Sequence, residues 1–298
     1  FPDEEKRIRV SDRVVGEDCV VVQSTSIDAD KNYMELFFIA DALKRSGTKS
    51  VTAVIPYLGY QRQDHVFRGG EAVSLGVVIK ALEGAGVDKV ITFDLHSIKI
   101  PELFHIPVIH LSALPLFAEN IPGVLRSLRQ FSRSAGSAKA PRTPTTHFSD
   151  TVLVSPDMGG IRRIKILSEM LSNMPYATIE KNRDLRSGKI LATKIHGVVK
   201  KRVIIVDDMI STGSTIDVAA DLLSKKGAQE IIVFATHPVF SKDAHILLQK
   251  SKAKKVFVTD TIEVPKEKQF PKLEVLSVAE LIAEILMHPN RNYPNKSE

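Results

Sequence analysis

The chain has 298 residues, of which 43% are hydrophobic and 26% are charged. These values exclude a disordered chain and a protein built mainly of membrane spans. The formal net charge is +6, while aromatic residues make up only 6% and tryptophan is absent. A basic chain with few aromatic side chains suits small anionic ligands such as polyphosphates better than stacked nucleic-acid bases.

The sequence carries few features that indicate a cellular compartment or a targeting signal. The chain opens at Phe1 without the basic and apolar segments of a signal peptide. The most apolar stretch, residues 103–118, is broken by prolines and histidines, so we expect no transmembrane segment. The single cysteine, Cys19, cannot form an intramolecular disulfide, which is typical of a reducing compartment. We therefore expect a cytoplasmic protein.

Short β-branched runs alternate with helical patterns along the chain. Seven runs are predicted to be strands: 20–23, 51–55, 89–93, 152–154, 203–206, 231–235 and 255–258. Their near-continuous hydrophobicity is typical of strands buried on both faces, as in a parallel sheet covered by helices. Residues 32–45, 216–226 and 278–286 carry apolar side chains at helical spacing. The predicted fold class is α/β.

The composition changes at residues 126–147, where Ser, Arg, Ala, Pro and Thr dominate and no apolar period continues beyond Phe131. This segment is predicted to be a flexible loop or insertion. We expect one domain of residues 1–112 joined by a C-terminal helix returning within 276–298. A second domain is expected to span 113–275.

The predicted strand 203–206 runs directly into the sequence DDMISTGST at 207–215. In open α/β sheets, ligands bind beyond the carboxyl ends of the strands, and a loop leading into a helix presents free N–H groups to an anion. Gly213 would let the backbone approach a phosphate. The flanking hydroxyl groups would add donors: Ser211, Thr212, Ser214 and Thr215.

Two adjacent carboxylates, Asp207 and Asp208, precede these hydroxyls. Carboxylates accept hydrogen bonds from a vicinal diol, so a sugar phosphate would match the whole segment. The alternative is an ordinary N-cap cluster, in which Asp, Ser and Thr satisfy the first N–H groups of a helix. Both interpretations stay open on these residues alone.

The sequence VIIVDDMISTGST, at 203–215, resembles the ribose 5-phosphate loop of ribose-phosphate pyrophosphokinases, the phosphoribosyl diphosphate synthetases, and the related loop of phosphoribosyltransferases. Further stretches resemble the synthetases: FPDEE (1–5), YLGYQRQDHVFRGGEAVS (57–74), TFDLHS (92–97), VSPDMGG (154–160) and IEKNRDLRSG (179–188). The resemblance covers nearly the whole chain. It implies two phosphoribosyltransferase-like domains, each a mainly parallel sheet flanked by helices.

The resemblance also implies roles for individual residues. ATP would be bound by Phe1, Asp3, Glu5, Arg62, Gln63, Asp64 and His96, the first three reaching the site of a neighbouring subunit. Ribose 5-phosphate would be bound by Asp207, Asp208, Ser211, Thr212, Gly213, Ser214 and Thr215. His96 and Asp157 would lie near a magnesium ion. Lys181 and Arg183, in a mobile loop, would be the catalytic residues that close over the reacting phosphates.

The implied activity transfers the diphosphoryl group of Mg-ATP to the anomeric hydroxyl of ribose 5-phosphate, giving 5-phosphoribosyl 1-diphosphate and AMP for nucleotide biosynthesis. The implied assembly is a homo-oligomer, often a hexamer built from dimers. One alternative is a non-catalytic regulatory homologue. Another is a phosphoribosyltransferase, which would share the loop at 203–215 but would not need FPDEE or GYQRQD.

Each assigned residue also has a purely structural interpretation. The GYQRQD stretch fits an exposed turn, His96 fits a strand end bonded to backbone, Asp157 fits a helix cap, and the cations at 181 and 183 fit a solvated loop.

The chain also departs from the family pattern. His65 stands where a basic residue is more usual, residues 132–146 look like a longer connection, and the family normally has a strand before the position of Phe1.

Overall fold

The computed structural model divides the chain into two compact units. The first contains residues 1–112 and the residues from Leu281 onward, and the second spans Ala113–Glu280. The described residues are 1–3, 5–133, 148–183 and 190–288, without side chains at 128–133, 181–183 and 190–193. Among the helices of these described ranges, none is both long and apolar enough to cross a membrane.

The first unit is built on a four-stranded parallel sheet with the order β1-β2-β3-β4. Its elements are β1 (Asp18–Val22), α1 (Ala29–Arg45), β2 (Ser50–Ile55), α2 (Ser74–Gly84), β3 (Lys89–Phe93), a 3-10 turn (Ile100–Leu103) and β4 (Val108–Leu111). Leu36 of α1 and Ile79 of α2 belong to the core on one face of the sheet. On the other face, Ile285 packs against Val54 and Ile91.

The second unit is built on a seven-stranded sheet with the order β11-β10-β9-β8-β5-β6-β7. Neighbouring strands are parallel except for the antiparallel pair β6–β7. The strands are β5 (Thr151–Ser155), β6 (Tyr176–Arg183), β7 (Ile190–His196), β8 (Arg202–Met209), β9 (Glu230–His237), β10 (Lys255–Thr259) and β11 (Leu273–Leu276).

Helices cover both faces of this second sheet. They are α3 (Leu114–Arg133), α4 (Ile161–Met170), α5 (Ser214–Lys225) and α6 (Ala244–Lys250), with 3-10 turns at Met158–Gly160 and Lys266–Lys268. The final helix, α7 (Ala279–Met287), begins in this unit and continues into the first.

The hydrophobic runs of the sequence follow from this layering. In β8, Val203 and Ile205 belong to the core beneath α5 and α6, whereas Ile204 and Val206 belong to the core beneath α3 and α4. Successive side chains of a strand point to opposite faces, so a strand covered on both faces is apolar at every position. The predicted α/β class with mainly parallel sheets flanked by helices is confirmed.

All seven predicted strands are present, most of them longer by one or more residues at their ends. The sequence prediction missed β4, β6, β7 and β11. Three of these lie at an edge of a sheet and the fourth, β6, pairs with an edge strand. Edge strands are less completely covered and therefore carry polar residues, so the continuous apolar signal of a central strand is lost.

The prediction of a loop throughout 126–147 was wrong in its first part. The backbone of residues 126–133 continues α3, whose buried side chains include Phe117, Ile121 and Leu125. Leu, Arg and Gln in this last part of α3 favour the helix intrinsically. Residues 134–147 lie outside the described part of the chain.

Candidate active site

Two carboxylates lie at the carboxyl end of β8. Asp207 and Asp208 are each only 7% exposed, because β8 is enclosed between β5 and β9. Asp207 Oδ1 accepts a hydrogen bond from the N–H of Asp208 at 2.9 Å, and Asp208 Oδ1 accepts one from the N–H of Met209 at 2.8 Å. The backbone therefore orients both acids at the sheet edge where α/β proteins bind ligands.

Arg163 of α4 is a cation beside this acidic pair, and the sequence analysis missed it. Its Nη1 lies 4.0 Å from Asp207 Oδ1 and its Nη2 lies 3.8 Å from Asp208 Oδ2. Burial raises the pKa of Asp207 well above its usual value, the charges of Asp208 and Asp157 raise it further, and Arg163 opposes this rise. Burial and the neighbouring acids thus disfavour ionisation of Asp207, and a bound hydroxyl or cation would favour it.

The buried charge of Asp207 is predicted to lower the stability of the folded protein. We expect Asp207→Asn to raise the free energy of unfolding near pH 7 by about 1–2 kcal/mol, because Asn retains the Oδ1 acceptor for the Asp208 N–H and removes the charge. In an unfolded chain the pKa of Asp is about 3.9. Since the native pKa is higher, ionisation of Asp207 costs the wild-type protein stability as pH rises above that value.

Urea unfolding of wild type and Asp207→Asn from pH 4 to pH 8 measures this difference. The stability advantage of the variant should be small at about pH 4 and grow as pH rises. A variant that is less stable than wild type at pH 7 would show that the Asp207 charge is compensated in the folded protein.

The loop from Ile210 to Gly213 joins β8 to α5. Gly213 is the N-cap of α5 with φ 79°, in the left-handed region, and a Cβ there would lie 3.4 Å from Leu248 Cγ. Glycine supplies no capping side chain, and the N–H of Ser214 reaches Thr212 Oγ1 only at 3.5 Å. This geometry differs from a conventional side-chain cap and leaves the positive end of the helix facing the loop.

The segment after β9 holds the loop in place. Ile210 N–H donates to His237 O at 2.9 Å, Phe240 N–H donates to Ile210 O at 2.9 Å, and Ser241 N–H donates to Ser211 O at 3.0 Å. The hydroxyl oxygens of Ser211 and Ser241 are 2.9 Å apart. The loop is thus tied by hydrogen bonds to the end of β9 and the segment that follows it.

Asp157 follows β5, the strand beside β8. Its Oδ1 accepts a hydrogen bond from the N–H of Gly160 at 3.2 Å, so the capping interpretation is realised. Its charge also acts on Asp207, whose pKa it raises. The structure therefore places Asp157 near enough to Asp207 for its charge to act on that acid, and the cap does not exclude a ligand role.

Lys181 and Arg183, which are predicted to be catalytic, belong to strand β6. Their Cα partners in the antiparallel β7 are Ala192 and Ile190, respectively. Their side chains are outside the described part of the structure, as are all atoms of residues 184–189. Their catalytic role stays a prediction.

In the first unit, the predicted ATP-binding stretch begins with a tightly held turn after β2. Gly59 N–H donates to Thr25 Oγ1 at 2.7 Å, and Tyr33 OH donates to Gly59 O at 3.0 Å. A Cβ at Gly59 would lie 2.3 Å from the backbone oxygen of Thr25. This close approach requires glycine and fixes where the following residues leave the sheet.

The following residues are exposed at that sheet edge. Arg62 and Gln63 are exposed and Asp64 is half-buried. Gln63 Oε1 accepts a hydrogen bond from Ser74 Oγ, at the start of α2, at 2.7 Å. Asp64 Oδ1 lies 2.6 Å from His65 Nδ1, so the unusual histidine pairs with the neighbouring acid. An exposed turn and a nucleotide contact are both compatible with this arrangement.

His96 is exposed in the turn after β3, the strand next to β2. Its N–H donates to Gln61 Oε1 at 2.8 Å. The structure thus brings His96 to the same sheet edge as Arg62 to Asp64. Phe1, Asp3 and Glu5 form a small exposed turn, in which the Phe1 ammonium donates to Glu5 O at 2.8 Å and the Glu5 N–H donates to Asp3 Oδ1 at 3.2 Å.

Comparison with known proteins identifies the chain's relatives. The family model for the N-terminal domain of ribose phosphate pyrophosphokinase matches residues 1–86, and the phosphoribosyl synthetase-associated domain matches residues 180–293. The ribose-phosphate pyrophosphokinase of Bacillus caldolyticus is 36% identical over 297 residues, which cover 100% of this chain and 86% of the relative. The chain belongs to the ribose-phosphate pyrophosphokinase family.

Other relatives agree with this membership. Ribose-phosphate pyrophosphokinase 1 of Streptococcus agalactiae is 37% identical over 296 residues, covering 99% of this chain and 85% of the relative. The crystal structure of phosphoribosylpyrophosphate synthetase from Mycobacterium smegmatis superposes with a TM-score of 0.83 at 34% identity, covering 97% of this chain and 88% of that one. The chain is therefore an enzyme of the pyrophosphokinase type. The match at 1–86 also argues against the phosphoribosyltransferase alternative, which had no need of that region.

Pyrophosphokinases are kinase-type diphosphotransferases, which generally use a metal ion. Across the described side chains, no group of three or more His, Cys, Asp or Glu residues could hold an ion by itself. Asp157, Asp207 and Asp208 nevertheless supply the hard oxygen donors that divalent cations prefer. Burial raises the pKa of Asp207 most, and the charges of Asp208 and Asp157 raise it further. These residues fit a metal ion that takes its remaining ligands from substrate oxygens and water.

Proposed function

We propose that this pyrophosphokinase transfers the diphosphoryl group of ATP to the anomeric hydroxyl of ribose 5-phosphate, forming 5-phosphoribosyl 1-diphosphate and AMP. The observation that carries this proposal is the buried Asp207–Asp208 pair followed by the glycine-capped loop into α5, in a chain of this family. The second unit would bind the sugar phosphate and the first unit would bind ATP.

The sugar phosphate would use both parts of this sheet edge. The carboxylates of Asp207 and Asp208 are the acceptors for the two adjacent ring hydroxyls. The 5-phosphate would lie against the N-terminal end of α5, where Gly213 permits close approach and the helix dipole favours an anion. Donors to the phosphate would come from the loop hydroxyls and backbone at Ser211, Thr212, Ser214 and Thr215. Relief of the repulsion between the acids would contribute to binding of the sugar.

In the reaction, the anomeric oxygen forms a bond to the β-phosphorus of ATP. The bond from that phosphorus to the oxygen bridging it to the α-phosphorus breaks, and this oxygen leaves with AMP. The hydroxyl proton is released. Because the attacking group approaches an already anionic chain, catalysis depends on positioning and on positive charge at the phosphate oxygens. Lys181 and Arg183 would supply that charge, with Arg183 able to bind two oxygens at once.

We infer that the metal ion is Mg²⁺. Asp157 and the neighbouring pair would hold it, since Mg²⁺ binds through a few carboxylates and keeps several waters. His96, a nitrogen donor in the first unit, suits a contact with the ATP phosphates. When bound, the ion would neutralise charge on phosphate oxygens. ATP itself would be contacted in the first unit by Arg62, Gln63, Asp64 and His96.

The proposal extends to assembly and compartment. Phe1, Asp3 and Glu5, which form an exposed turn, would complete the ATP site of a neighbouring copy, which requires a homo-oligomer built from dimers. We propose a cytoplasmic location, which supplies ATP and is compatible with the single cysteine. Light scattering of the purified chain measures the assembly, and a monomer with full activity would contradict this role of the N-terminal turn.

Phosphate labelling tests the reaction. The protein is mixed with ribose 5-phosphate, Mg²⁺ and ATP that carries the label on either the α- or the β-phosphorus. We expect α-label in AMP and β-label in 5-phosphoribosyl 1-diphosphate, with neither product formed when ribose 5-phosphate is omitted. Transfer of the γ-phosphate alone, which would give ADP, would contradict a diphosphoryl transfer. Absence of any turnover would favour the regulatory homologue.

A further inference from the structure

The turn that carries His96 is held by side chains from two other segments of the first unit. Leu95 N–H donates to His110 Nε2 at 2.9 Å, and the next amide, that of His96, donates to Gln61 Oε1 at 2.8 Å. The turn begins at Asp94, whose φ of 30° departs from regular strand backbone. Asp94 Oδ1 accepts a hydrogen bond from Ser112 Oγ at 2.8 Å. Three consecutive residues are therefore anchored by side chains that come from elsewhere in the unit.

Gln61 is the most unusual of these anchors. It lies within the turn after β2, next to Arg62, and is completely buried. Its Oε1 accepts the His96 N–H, but its Nε2 is buried without a hydrogen-bond partner in the described part of the structure. A buried amide nitrogen left unpaired is unfavourable and rare in folded proteins. Gln61 therefore does not behave as an ordinary core residue chosen for stability alone.

His110 makes the matching contact from β4. Its Nε2 acts as an acceptor for the Leu95 N–H, so that nitrogen carries a lone pair and the proton of the neutral ring is on Nδ1. His110 is half-buried, whereas His96 is exposed at the sheet edge. The two histidines thus differ in role, one being part of the support and the other facing the ligand side.

We propose that Gln61 and His110 are positioning residues, which hold the backbone at His96 so that its side chain is oriented for the ATP phosphates. Gln61 also ties this turn to the Arg62–Asp64 turn, so the two parts of the ATP site keep a common geometry. The inference rests on the proposed function, because it requires that His96 contacts ATP or its metal ion. A side chain oriented before binding loses less conformational entropy when the phosphates arrive, and it is in place for the reaction.

A double-mutant cycle tests the inference with the full-length protein. We expect Gln61→Met, which keeps the length of the side chain and removes both polar atoms, to lower kcat/KM for ATP about threefold to tenfold, the size expected for one lost hydrogen bond. KM for ribose 5-phosphate should be unchanged. If Gln61 acts through His96, the double variant Gln61→Met/His96→Ala should have the same kcat/KM as His96→Ala alone. If the losses in kcat/KM of the two single variants multiply in the double variant, the inference is overturned.

His110 provides a second, independent cycle should Gln61→Met fold poorly. His110→Phe should lower kcat/KM for ATP and should add nothing to His96→Ala, whereas His110→Gln, which restores an acceptor, should recover part of the loss. Amide hydrogen exchange of the wild-type protein without ligands needs no variant. We expect slow exchange at Leu95 and His96, and rapid exchange at both amides would overturn the inference.

Thr48→Val is the matched control for removal of a buried polar group. Thr48 lies between α1 and β2, at the opposite end of β2 from Gln61, and its Oγ1 is also buried without a partner in the described residues. This variant should leave kcat and both KM values unchanged. If wild type forms AMP but His96→Ala is fully active, the assigned role of His96 falls together with the inference. If AMP forms, His96→Ala is impaired and the cycles show independent effects, only the inference falls.

Discussion

Replacement of Lys181 or Arg183 by alanine is expected to lower kcat by roughly a hundredfold or more, which is the usual loss when one preorganised charge-stabilising donor is removed. The reason is that the phosphate oxygens need neutralisation most strongly in the transition state. The KM for ribose 5-phosphate should change little, because the sugar is assigned to Asp207, Asp208 and the loop into α5. Steady-state formation of AMP and calorimetry with ribose 5-phosphate measure the two quantities separately.

Two further variants make this experiment specific. Lys194→Ala removes an exposed lysine from β7 of the same antiparallel pair and should leave kcat nearly unchanged. Arg183→Lys keeps the charge but cannot bind two oxygens in one plane, so an intermediate kcat is expected. Near-normal turnover of both Lys181→Ala and Arg183→Ala would show that these residues are not catalytic.

Asp208→Asn is expected to weaken binding of ribose 5-phosphate about tenfold to a hundredfold, the range for loss of a hydrogen bond to a charged group. The Asn side chain can still accept the N–H of Met209 through Oδ1, so the local backbone should be kept. It replaces the anionic acceptor for a sugar hydroxyl with a neutral amide. The affinity for ATP should be unchanged, since the ATP residues are assigned to the first unit. Calorimetry with each ligand alone gives both affinities.

Asp221→Asn is the matched control for this charge change. Asp221 is a half-buried residue of α5 in the same unit, and its side chain, 48% exposed, pairs with Lys225 at 2.6 Å. Exposed ion pairs of this kind contribute little to stability, so the affinity for ribose 5-phosphate should be that of wild type. An unchanged sugar affinity in Asp208→Asn would refute the proposed contact between this acid and the sugar.

Much of the fold could be predicted from the sequence because each central parallel strand is a run of adjacent apolar residues. In β8, residues 203–206 face two different cores in alternation, so all of them must be apolar, and the run is visible without any structure. The same reasoning located the ligand-binding edge at 207–215, which in the structure comprises the end of β8, the loop at 210–213 and the start of α5. Edge strands such as β7 and β11 were missed because one open side relaxes this requirement.

The sequence by itself determined the class of fold, the central strands and the chemical identity of the groups at the sheet edges, because these depend on runs of adjacent residues. Only the tertiary structure decided how those groups are paired and how far they are removed from water. The approach of Arg163 to Asp207 and the bond from His96 to Gln61 join residues more than 30 positions apart. Such contacts depend on how the strands are ordered in the sheet, which no local pattern of side chains records.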